Sequence, residues 1–198
     1  MEWLKRFFAT RQRPDSDTEA GSLRRVTLRN PLVIESPRIG FFNLLGASAR
    51  PILEKDKAAL GPLFASLEES DANPPVCAVL MIYARLERDG GVDGCSEGLR
   101  DIIRKSRAPI VIVASENNGE NYIAGGKQTG YGQANLVMTL KRKGDDFTTF
   151  FAHLFRKMFD GKSMPLAWAE LAPQSPREAH ANCPETIFSA EVSHIIFK

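Results

Sequence analysis

The sequence predicts an α/β fold with a mainly parallel central sheet flanked by helices, and three observations carry the prediction. Two short runs, Val76–Tyr83 and Ala108–Ala114, contain no charged residue, so each reads as a strand buried on both faces. Between them Leu99, Ile102 and Ile103 recur at helical spacing, which makes a strand–helix–strand unit whose crossover implies parallel pairing. Further on, Phe147, Phe150, Phe151, Leu154, Phe155, Met158 and Phe159 form a broad apolar stripe with the 3.6-residue period.

A chain of 198 residues with 43% apolar and 25% charged residues is long and ordinary enough to bury one core. It divides into a basic aromatic arm and linker, 1–22, and a single α/β domain, 23–198. In the arm, Trp3, Leu4, Phe7 and Phe8 sit at helical spacing among Lys5, Arg6 and Arg11. Two readings stand open for it. It contacts a membrane surface or a partner's groove through Trp3, Phe7 and Phe8, or it is a short helix docked on its own domain or a second copy. Arg13 to Ser22 follows as a linker rich in turn-forming residues. The basic residues gather early (Arg24, Arg25 and Arg29 among them), but a net charge of +2 leaves no case for a nucleic-acid partner. Cys77, Cys95 and Cys183 are too few for a disulfide framework, which points to a reducing compartment, the cytoplasm. No apolar run nears the roughly 20 residues of a membrane span. Arg6, Arg11 and Arg13 interrupt any signal-peptide core.

In chain order, Leu23–Arg29 alternates as a strand, and Pro31–Glu35 and Ile39–Leu45 read as short or edge strands separated by Pro37. Leu60, Leu63, Phe64 and Leu67 place a helix over about 56–69, starting near Pro62, where a missing N–H costs nothing. After Val76–Tyr83 comes a charged turn-rich loop, Arg85–Gly94. Ser96 is expected to cap the next helix, with Arg104, Lys105 and Arg107 at its negative end. Asn135–Lys141 reads as a strand, Asp145 or Asp146 as the cap of the aromatic helix, and Gly161 as its end. A helix over Ser163–Leu171 and a final strand with Phe188, Ala190, Val192, His194 and Ile196 on one face close the chain.

The stretch from Ser115 to Gln133 is long, polar and glycine-rich, and it follows a central strand, where open α/β sheets place their sites. Asn117, Asn118, Gly125, Gly126, Lys127 and Tyr131 are its candidate ligand-binding residues. Gly119, Gly125, Gly126, Gly130 and Gly132 suggest positive φ or close approach to a ligand. The nucleotide signatures fail: Gly161-Lys-Ser163 has Arg156 at the required glycine, and Gly126-Lys-Gln128 has Asn121 there. His153 falls on the polar side of the aromatic helix, and His194 on the apolar face of the last strand. His180 and Cys183 form an isolated pair, short of the about four ligands a structural zinc needs. No metal and no cofactor is expected. Cys95 precedes a helix, but Asp93 and Glu97 oppose a stabilised thiolate there.

In element order the span Val76–Ala172 resembles the CHAT-type caspase-like peptidase family, a Rossmann-like three-layer sandwich. The residues that carry the resemblance are Val76–Tyr83, Ile110–Ser115, Ile123-Ala-Gly-Gly126, Asn135–Leu140, Phe147–Phe159, Gly161-Lys-Ser163 and Ala167-Trp-Ala169. In that family one strand ends in the catalytic His and the next in the catalytic Cys. Here the Cys position carries Ser115, followed by Glu116, and the loop Ala84–Gly91 contains no His. A serine without a positioned base is a poor nucleophile. The resemblance therefore implies a caspase-like domain without peptidase chemistry, one that binds another protein. Two further readings stay open. One is a small-ligand or nucleotide-binding domain using the 117–133 loop. The other is a hydrolase with a nonstandard site at Ser115, built from Ser115, Glu116, Asp89 and Lys127, with Cys95 a separate catalytic candidate.

Overall fold

The structure is a computed structural model and describes residues 31–123, 134–172, 183–190, 192 and 194–198. The arm, the expected strand Leu23–Arg29, His180 and the loop residues Gly125, Gly126, Lys127, Gly130, Tyr131 and Gly132 lie outside the described residues. The strands are β1 Leu32–Ile34, β2 Arg38–Asn43, β3 Ser66–Ser70, β4 Val79–Tyr83, β5 Ile110–Val113, β6 Asn135–Lys141, β7 Glu185–Ala190 and β8 Ile195–Phe197. The helices are α1 Arg50–Leu60, α2 Leu99–Ser106, α3 Asp146–Phe159 and α4 Met164–Leu171, with a helical turn at 119–123.

Six strands form one sheet in the order β3-β2-β4-β5-β6-β7. The first five run parallel and β7 is antiparallel to β6. β1 and β8 pair in parallel as a separate two-stranded sheet. Alternation along the strands builds a core on each face. Ile39, Phe41, Val79, Met81, Ile110, Ile112 and Val137 pack with Leu53 of α1 and with α3 and α4. Leu80, Ile82, Val111, Val113, Leu136 and Met138 pack with α2 and Tyr122. This is the three-layer α/β architecture that the doubly apolar strands imply. The stripe of α3 is core as its spacing predicts, with Phe147, Phe151, Leu154, Phe155 and Met158 fully buried.

Several elements differ from expectation. The helix expected over 56–69 runs over Arg50–Leu60, with Pro51 in its first turn. Pro62 has no N–H to continue the ladder and instead opens a 3-10 turn, Gly61–Leu63. Ser66–Ser70 is then an edge strand, so Leu67 lies on β3 at 38% exposure instead of on a helical face. β2 is interior, paired on both sides and nearly all buried, and is no edge strand. The cap of α2 is Gly98, whose extended backbone starts the helix without a side-chain bond; Ser96 lies too far upstream. Asp145 occupies the cap position of α3, but its carboxylate pairs with Lys55. The expected last strand is two strands in two sheets. They are parted at Val192, whose N–H donates to the side chain of Asn135 at 2.8 Å.

Candidate functional site

The sequence places the site past the carboxyl end of β5, and there the ends of β4 and β5 lie side by side in one parallel ladder. Ser115 is 5% exposed, and its hydroxyl is committed to the neighbouring strand end. Ser115 Oγ donates to the Ala84 carbonyl at 2.5 Å and accepts the Ala84 N–H at 2.9 Å. Asn117 continues the same connection. Its Oδ1 accepts the Leu86 N–H at 2.7 Å, and its Nδ2 donates to the carbonyls of Ala84 and Ser115 at 3.0 and 3.1 Å. Asn121 Nδ2 donates to the Leu86 carbonyl at 2.8 Å, and the Asn117 N–H reaches the Thr139 carbonyl on β6 at 2.9 Å. A serine and two asparagines thus satisfy the main-chain groups of Ala84 and Leu86 past the end of β4, while the Arg85 carbonyl accepts the Asp93 N–H.

Beside this strap lies a buried ionic group that sequence reasoning missed. Asp56 of α1 is fully buried and receives the Arg142 guanidinium at 2.8 and 2.9 Å, the Thr148 hydroxyl at 2.6 Å and the Tyr83 hydroxyl at 2.7 Å. Arg142 also donates to the Ala114 carbonyl at 2.8 Å and lies 3.7 Å over the Phe147 ring. Its own N–H reaches Glu116 Oε1 at 2.8 Å. A buried carboxylate is tolerable only when its lone pairs are filled by such charge-assisted bonds. Burial, reinforced by the Asp56 carboxylate, holds the Tyr83 phenol well above its ordinary range, so it remains a protonated donor. The available signal was spacing: Leu53, Asp56 and Leu60 fall on one face of α1.

The remaining candidates are spread apart. Asp89 spends its carboxylate on the Gly91 N–H at 2.8 Å within its own turn, and Cys95 bonds the Val92 carbonyl through its N–H. Among the described residues neither bonds to Ser115. Burial pushes the Cys77 thiol up to about 12 and raises that of Cys183, so both are protonated at neutral pH. His153 is exposed on α3, as its position on the polar face predicts; His194 is half-buried before β8, with its carbonyl accepting the Leu32 N–H. No group of three or more His, Cys, Asp or Glu among the described residues is placed to hold a metal ion. No described helix is long and apolar enough to cross a membrane.

Two cavities adjoin the strap. One of about 380 Å³ is lined by Ser115, Glu116 and Arg142 with Ile52, Lys55, Gly144 and Asp145. The other, of about 570 Å³, lies between the turn at 118–123 and the β6–β7 edge, with Ile123, Leu140 and Ile187 as its apolar wall and Asn118 and Glu120 at its polar side. Gly119 belongs to this wall because of close approach: a Cβ there would meet Leu140 and Ile187 at 3.3 and 3.4 Å. What fold and site define together is a three-layer α/β protein whose carboxyl-end loops are bound to one another. No protein-family model matches the chain, and no curated protein matches it either.

Proposed function

We propose that this chain is a non-catalytic caspase-like domain that engages another protein. The observation that carries the reading is the double hydrogen bond between Ser115 and Ala84. The resemblance puts a nucleophile at the end of one strand and its base at the end of the neighbour. At those two positions this chain has a hydroxyl whose proton goes to a main-chain carbonyl, and an alanine. A hydroxyl so engaged has no base to accept its proton during attack on a carbonyl. Glu116, the nearest carboxylate in sequence, accepts the Arg142 N–H instead. The free cysteines Cys77, Cys95 and Cys183 support a reducing, cytoplasmic setting.

The test is reaction of the folded protein with electrophilic serine probes, together with incubation against peptide libraries. Neither labelling of Ser115 nor peptide cleavage is expected. Ser115→Ala should keep the fold while losing about 1–3 kcal/mol, chiefly for the Ala84 N–H left without its acceptor, since Asn117 Nδ2 still donates to the Ala84 carbonyl. Stoichiometric labelling at Ser115, abolished by Glu116→Gln or Asp89→Asn, would instead establish the hydrolase reading.

The cleft of about 570 Å³ favours a second reading, a small-ligand site, since its size falls in the range of ligand pockets. A thermal-shift screen with nucleotides, sugar phosphates and acyl compounds separates the two. Saturable stabilisation that Ile187→Trp removes supports a ligand, and its absence supports the protein partner.

A further inference from the structure

We propose that the basic aromatic arm, residues 1–13, docks on its own domain, in the apolar groove at the amino ends of β2, β4 and β5. This groove is at the opposite end of the strands from the Ser115 strap. It has a volume of about 380 Å³ and an apolar lining that includes Leu32, Ile34, Val76 and Pro109. Two of these are among the most exposed large apolar side chains of the described residues, Val76 at 47% and Leu32 at 45%. Leu32 and Ile34 belong to β1, whose ladder runs to β8 alone among the described strands. One face of this small sheet is covered by the core, where Ile195 and Phe197 are buried and Ile34 packs against them, and Leu32 is left on the exposed side.

Three features commit the groove to this occupant. The described chain begins at Pro31, directly beside the groove-lining Leu32, so whatever precedes it leaves from the groove itself. The stretch 14–30 that joins the arm to Pro31 spans at most roughly 55–60 Å when fully extended, which brings the arm within reach of the groove. A tether of that length presents the arm at an effective concentration of the order of millimolar, so a weak contact suffices to hold it. Trp3, Leu4, Phe7 and Phe8 supply the apolar face that Leu32 and Val76 lack. Opposite charge is available for the lining residues Arg38 and Arg107 in the acidic run Asp15, Asp17 and Glu19 between the arm and Pro31, and for the basic arm in the lining carboxylate Glu35. An amphipathic segment this short is marginal as a free helix and needs a surface to order it.

The experiment uses the full chain and its two tryptophans, Trp3 and Trp168. In Trp168→Phe, Trp3 should emit to the blue and resist acrylamide several-fold better than in a free peptide of residues 1–22, to the same degree at all protein concentrations. Val76→Glu should return Trp3 to peptide-like quenching, whereas Leu166→Glu, at an exposed apolar site on α4, should not. If Trp168→Phe folds poorly, the difference spectrum between the unaltered chain and Trp3→Phe isolates the same signal. Peptide-like quenching of Trp3 in the full chain would overturn the proposal. So would protection that grows with protein concentration, which places the arm on a second copy, or protection that needs anionic vesicles of phosphatidylserine, which places it on a membrane.

Discussion

Asp56 shows how one residue can join elements that the chain separates. It binds a strand residue through Tyr83, a helix residue through Thr148 and, through Arg142, the Ala114 carbonyl just past β5. Removing its charge leaves a buried guanidinium with no counter-ion, which is far worse than losing an average contact. Asp56→Ala should therefore cost about 3–5 kcal/mol. A chemical-denaturation midpoint within error of the parent would mean that Arg142 finds solvent or another acceptor. Ser115 and Asn117 act differently at the same scale, because their polar atoms replace a missing ladder. Polar residues past the end of a strand look alike in sequence whether they face a ligand or a neighbouring main chain, so only their partners in space told the two apart.

At the scale of elements, α3 is the member whose sequence and packing agree most closely. Phe155 is fully buried, with ring neighbours Phe64, Phe151 and Phe197 at centroid distances of 5.1, 6.2 and 6.3 Å. Phe155→Ala removes these contacts and leaves a cavity, an effect expected at about 3–5 kcal/mol. Thermal or denaturant unfolding measures it, and an unchanged midpoint would turn the stripe into an external interface. The α1–β3 region shows the converse. Leu60, Leu63, Phe64 and Leu67 have helical spacing, but Pro62 removes one ladder donor, and the chain turns and extends to pair with β2. Periodicity reports which residues prefer burial; it does not say which of them a single helix can reach once its hydrogen bonding is broken.

For the whole molecule, an arm held in the groove as proposed would contribute to stability on a different scale from the described core. A tethered contact of millimolar-range strength adds only about 1 kcal/mol by mass action. Deleting residues 1–20 should therefore leave a folded protein whose unfolding free energy falls by less than about 1.5 kcal/mol. Loss of solubility or of cooperative unfolding on that deletion would place the aromatics of the arm in the core itself. The sequence by itself determined the layers, because strands without a charged residue must be covered on both faces and the α3 stripe must face inward. It also determined that the strand ends near Ala84 and Ser115 carry no histidine. Tertiary structure alone decided the pairing of Leu32–Ile34 with Ile195–Phe197, the split of the last strand between two sheets, and the Asp56–Arg142 pair. Each of these joins residues far apart in the chain. Local periodicity records a residue's preference for burial or solvent, while the choice of a distant partner depends on where the rest of the core leaves a hydrogen bond or a charge to be met.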